Sequence, residues 1–64
     1  MMIKVSQLQP GHEVHEHKDN GEVDRFTVLQ VAPAGRMVEV TFDTKGGRES
    51  AIYPAEAYLN AANG

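Results

Sequence analysis

An all-β domain closed into a small barrel is what this sequence predicts, and three observations carry the prediction. Residues 26–53 read as three consecutive strands, FTVLQVA, MVEVTFD and RESAIY, rich in Val, Phe, Ile and Thr. Pro or Gly stands in each gap between them, in PAGR and in TKGG. The chain has only 64 residues, enough for one thin core and a net stability of about 3–5 kcal/mol. A flat sheet of that size exposes its edges, and closing it removes them.

The elements follow in order. Ile3 and Val5 alternate with Lys4 and Ser6 in a short first strand, and Gln9-Pro10-Gly11 turns the chain. Residues 12–17, HEVHEH, form a second strand with Val14 as its one aliphatic residue. A strand so polar belongs at a sheet edge or touches the core with a single face, and at an edge it can pair with a second copy. Lys18-Asp19-Asn20-Gly21-Glu22 is the strongest short turn, its Asn-Gly pair favouring type I′. Residues 23–32 carry apolar side chains on both faces, as in a central strand that bends. Residues 37–43 alternate cleanly, with Val38, Val40 and Phe42 on one face, and residues 48–53 form a weaker last strand. Pro54 is placed to open a short C-terminal helix over 55–62, and residues 60–64 are expected to fray. The expected core is Ile3, Val5, Leu8, Val14, Val28, Leu29, Val31, Val38, Val40, Phe42, Ile52 and Leu59.

Composition narrows the function classes. There is no cysteine, hence no disulfide framework and no thiolate metal site, in keeping with a reducing compartment. No apolar run nears the ~20 residues of a membrane span, so a soluble, cytoplasmic protein with no membrane partner is expected. The net charge is −3. Between His12 and Asp24, Glu13, Glu16, Asp19, Glu22 and Asp24 face only Lys18, so the N-terminal third is acidic. Beyond it Glu39, Asp43, Glu49 and Glu56 balance Arg25, Arg36, Lys45 and Arg48. A general nucleic-acid binder shows the opposite bias.

The opening Val5-Ser6-Gln7-Leu8-Gln9-Pro10-Gly11-His12-Glu13-Val14 resembles the V-x-x-L-x-P-G-x-x-V entry of many small bacterial β-barrels. Phe26-Thr27-Val28-Leu29 and Val38-Glu39-Val40-Thr41-Phe42 resemble the strands that follow it there. Over residues 3–59 the chain looks like the small SH3-like proteins of bacteria and of actinobacteriophages. That resemblance implies a five-stranded SH3-like barrel and a cytoplasmic accessory protein, phage-encoded or host-modulating, that works by binding. It carries no catalytic residue across.

Candidate chemistry is sparse. His15 and His17 project from one face of a strand, about 6.5–7 Å apart along the chain, within chelating reach of zinc, nickel or copper. Solvated histidines on a polar strand are the competing reading. The same imidazoles, set among Glu13, Glu16 and Asp19, could serve a pH-responsive contact. Arg36, Arg48 and Lys45 lie in turns or at strand ends and could gather at one end of a barrel to grip a phosphate backbone. Pairing with neighbouring carboxylates is the alternative. Ser6 and Ser50 are isolated and the glycines form no phosphate-cradling loop, so no enzyme and no cofactor is expected. The expected activity is that of a non-enzymatic protein-interaction module. Its contact residues would be Tyr53, Tyr58, Met37, Glu16 and Asp19, with nucleic acid as the alternative partner.

Overall fold

The computed structural model describes residues 1–63. It contains six strands: β1 (Met2–Lys4), β2 (His12–His17), β3 (Val23–Ala34), β4 (Met37–Thr44), β5 (Gly47–Pro54) and β6 (Tyr58–Asn63). One turn of 3-10 helix, Val5–Gln7, follows β1. Every pairing is antiparallel, in one open sheet of order β1-β6-β2-β3-β4-β5. The chain is therefore all-β, as its alternation predicts.

The expected five strands and C-terminal helix are corrected to six strands. Residues 58–63 are a strand held on both sides, Ile3 opposite Leu59 on β1 and Val14 opposite Ala61 on β2. Ala55, Glu56, Ala57 and Leu59 favour a helix over 55–62, but so short a helix is marginal alone. As a strand the segment satisfies two ladders and buries Leu59 and Ala61 on one face. Pro54 ends β5 instead of opening a helix. Residue 64, the last of those expected to fray, lies outside the described residues.

The open sheet is curled. Four inter-strand steps separate β5 from β6, about 19 Å if the sheet were flat. The link between them, residues 55–57, spans about 14 Å even fully extended. It is in fact a turn, the Ala57 amide donating to the Pro54 carbonyl at 3.0 Å. The ends of β5 and β6 can meet only if the strands between them wrap round. Backbone bonds from Val5 N to Ala57 O (2.8 Å) and from Ser6 N to Ala55 O (3.2 Å) tie the link to the 3-10 turn.

A bulge in β3 helps the wrap and decides which residues face in. Val28 stands opposite Phe42 and Gln30 opposite Thr41, so the register slips by one residue at Leu29. Before the bulge Phe26 and Val28 face the core; after it the parity changes and Val31, opposite Val40, faces in. Strict alternation would have turned Gln30 inward. The apolar residues on both faces of this segment are thus one inward set on either side of a bulge.

Val5, Leu8, Val14, Val28, Val38, Val40, Phe42 and Ala61 form the buried core, with Ile3, Val31 and Leu59 packed against it. Two expected core residues are not there. Leu29 is the bulge residue and is 38 % exposed. Ile52 is 64 % exposed, because Val40 opposite Ala51 and Val38 opposite Tyr53 set the odd residues of β5 inward. Nor is β2 an outer strand of the sheet: β3 pairs with Glu13 to His17 on one side, and β6 pairs with His12 to Val14 on the other. Its polarity reflects one outward face of Glu13, His15 and His17.

The first hairpin also departs from type I′. Only Gly21 has positive φ (86°), and Lys18 N bonds to Glu22 O at 2.8 Å, leaving a three-residue loop that ends in the left-handed glycine. Asn20 serves through its side chain, Oδ1 accepting from Glu22 N at 2.9 Å.

Candidate interaction cleft

The curl leaves the concave face filled at one end and open at the other. Along β2, Val14 is buried and Glu16, two residues on, shares its face beyond the packed core. Along β5, Tyr53, Ala51 and Glu49 succeed one another on the inward face, opposite Val38, Val40 and Phe42. Between these strands lie Phe26 of β3 and Phe42 of β4. The result is a cleft of about 500 Å³ lined by Glu16, Phe26, Phe42, Thr44, Glu49, Ser50, Ala51 and Tyr53.

Its floor is aromatic. The Phe26 and Phe42 rings are 5.9 Å apart and tilted at 55°, and Phe42 meets Tyr53 edge-on at 6.5 Å and 86°. Phe42 is buried, whereas Phe26 and Tyr53 are half-buried and present surface to the cleft. Burial pushes the Tyr53 phenol above its usual value of 10.0, and the Glu16 charge adds to the effect. Glu16 and Tyr53 come from strands with two others, β3 and β4, between them, so their coupling across the cavity is a product of the curl. Neither Glu16 nor Glu49 enters an ion pair among the described residues. No Lys, Arg or His lines the cleft.

A second depression adjoins it through Phe26, Thr44 and Glu49 and is bordered by Lys18, Arg25 and Lys45. Much of its charge is matched internally, Lys18 Nζ lying 3.0 Å from Asp24 and Arg25 Nε 3.5 Å from Glu13.

Of the residues expected at a partner surface, the fold brings together Tyr53 and Glu16. Asp19 sits in the exposed β2–β3 turn. Tyr58, 55 % exposed, lies on the outer face opposite Lys4, whose ammonium is 5.9 Å from the ring centroid. A 3.0 Å bond to Glu56, the Glu56 charge and the nearby Tyr58 raise the Lys4 pKa above 10.5. Met37 borders a shallow outer depression with Ala32, Ala34 and Ile52.

The basic residues do not gather. Arg36 lies in the turn before β4, Lys45 lies just beyond its far end, and Arg48 stands in β5 opposite Asp43 near that same end. An eight-residue strand separates them by about 25 Å. His15 is engaged within its own strand, Nε2–H donating to Glu13 Oε1 at 2.8 Å. Among the described residues no three His, Cys, Asp or Glu side chains cluster as a metal site would require.

Phe26, Phe42 and Glu49 are cleft residues that sequence reasoning did not place in a site. A signal was present for Glu49 as for Glu16. Each carboxylate continues a period-2 inward set, Val14-x-Glu16 and Glu49-x-Ala51-x-Tyr53. An acid at an inward position needs either a partner or an opening.

Among the described residues no helix is long and apolar enough to cross a membrane. Compared with known protein families, curated proteins and solved structures, the chain matches none.

Proposed function

We propose that this chain is a non-enzymatic protein-interaction module and that the aromatic cleft is its contact surface. The observation that carries the reading is the aromatic Phe26–Phe42–Tyr53 floor, with Phe26 and Tyr53 only half-buried, left open where the rest of the concave face is packed. Aromatic surface held rigid in a concavity, with polar groups at its rim, is what protein partners use as an anchor point. Nothing in the cleft sets a nucleophile beside a base: the Ser50 hydroxyl is engaged with Thr41 Oγ1 at 3.0 Å. The acidic rim and the separation of Arg36 from Lys45 and Arg48 weigh against a phosphate backbone as the ligand.

The same reading takes the curled sheet as an SH3-like barrel. In support, β2 to β6 follow one another round the curl, and the short link joins the end of β5 to the start of β6. β1 is then an addition outside β6.

The test is affinity capture from lysate of the natural host, with and without nuclease, comparing the wild type with Glu49→Arg. Glu49 is exposed, so the substitution alters the rim without touching the core. A protein retained in both arms and released by the variant is the expected result. Loss on nuclease treatment would replace the reading with nucleic-acid binding. Equal retention by Glu49→Arg would move the contact surface elsewhere.

A further inference from the structure

The geometry points to a specific occupant: an extended segment of a partner protein that lies along the free edge of β5 and inserts one cationic side chain into the cleft. This rests on the reading of the cleft as a contact surface, and it adds the ligand's chemistry and direction of approach.

Three observations converge on it. First, the cleft is lined by two carboxylates and no basic group. Glu49 stands opposite Phe42 on the inward face, and Glu16 stands across the cavity, close enough to raise the Tyr53 pKa. With neither carboxylate in an ion pair among the described residues, an incoming cation meets charge that the fold has left unmatched. Second, half-buried rings of Phe26 and Tyr53 flank that position, and a ring face within about 6 Å attracts an ammonium or guanidinium. Arginine fits best, since its planar group can stack on a ring while bonding a carboxylate through two N–H groups. A neutral apolar side chain would cover the rings and leave both carboxylates partly desolvated without a partner.

Third, the cleft lies beside an open edge. β5 pairs with β4 alone, and no strand of the described residues occupies its other side. Glu49, Ser50, Ala51 and Tyr53, half of the cleft lining, belong to this strand. An extended segment that extends the sheet here would direct alternate side chains onto the concave face above Glu49, Ala51 and Tyr53. Main-chain bonds would then hold the segment and the cleft would select its charge. The net charge of −3 favours approach of such a segment at low salt.

The experiment titrates ¹⁵N-labelled full chain with the capped pentapeptide Thr-Val-Arg-Val-Thr and with counterparts carrying citrulline or glutamate in place of arginine. The arginine peptide is expected to shift the amides of Glu16 and of residues 49–53. The isosteric, uncharged citrulline peptide should bind at least ten-fold more weakly, and the glutamate peptide not at all. The double variant Glu16→Gln, Glu49→Gln should lose at least ten-fold for arginine while its melting temperature stays unchanged, and Glu16→Asp with Glu49→Asp should restore part of the loss. Equal binding of arginine and citrulline peptides at residues 49–53 would overturn the cationic ligand and leave the cleft as the contact surface. Arginine-dependent shifts confined to the first hairpin, around Asp19 and Glu22, and undiminished in the glutamine double variant, would overturn both. So would the absence of any shift with the arginine peptide at millimolar concentration.

Discussion

Replacing Ala61 by leucine separates the strand described for residues 58–63 from the helix that local propensity favours. Ala61 is 0 % exposed, paired opposite Val14, and its amide donates to the Met1 carbonyl at 2.7 Å. An isobutyl group in place of its methyl must push into Val14 and the surrounding core. Overpacking of this kind costs about 1–3 kcal/mol. Against a total near 3–5 kcal/mol for so small a domain, about 2 kcal/mol would lower Tm by roughly 8–16 °C. Were the segment an exposed helix, leucine for alanine would change stability by less than about 0.5 kcal/mol. Ala62→Leu is the control, since its neighbour across the pair is Glu13 on the outer face. Urea and thermal unfolding followed by circular dichroism, or by tyrosine fluorescence in this tryptophan-free chain, would report the difference. An Ala61→Leu protein as stable as wild type would refute the central position assigned to β6.

Val40→Ala, at a fully buried site between Val31 and Ala51, should cost about 2–3 kcal/mol; Ile52→Ser, on the outer face of the adjoining strand, should stay within about 0.5 kcal/mol. Urea midpoints of the two variants test the inward parity of β5, and a reversed order would refute it. Gly47→Ala should cost about 1–2 kcal/mol, because Gly47 has φ 109°. Gly46→Ala, one residue earlier, should be nearly neutral, with only Thr44 Oγ1 at 3.8 Å from the added methyl. Tyr53 binds its proton more tightly folded than unfolded; its contribution is therefore complete below the ordinary tyrosine pKa and is lost as pH rises through the raised one. Tyr53→Phe should accordingly lose less stability than wild type between pH 9 and 11, in denaturation midpoints measured across that range, since about 10 is the ordinary tyrosine value.

Much of the fold was legible because strand signals are local. The alternation of Val38, Val40 and Phe42 marked β4, and β2 has the bounds its sequence suggests. The turns were placed by Gly21, Gly35 and the Gly46-Gly47 pair, though the Asn20-Gly21 turn takes another geometry. The bulge at Leu29 was not legible. A single extra residue leaves no composition signal, yet it changes the parity of every later residue in β3 and so removes Leu29 from the core. Part of the cleft was within reach: Tyr53 and Glu16 were named as contact residues. Phe26, Phe42 and Glu49 were not, because residues on separate strands join one site only after the sheet curls.

Residue identity and spacing alone were enough to determine an all-β chain, its turn positions, its acidic balance and most of its buried valines. These depend on period-2 alternation and on the φ preferences of glycine and proline, which act within a few residues. Tertiary structure decided the rest. It turned 58–63 from a helix-prone segment into a strand, because β1 and β2 offered two ladders and a buried face that no isolated helix could match. It placed β2 inside the sheet, although its polar sequence suited either an edge or a strand with one face on the core. And it brought Glu16 of β2 to Tyr53 of β5, since a three-residue link forces the sheet to wrap and makes distant strands face each other across one cleft.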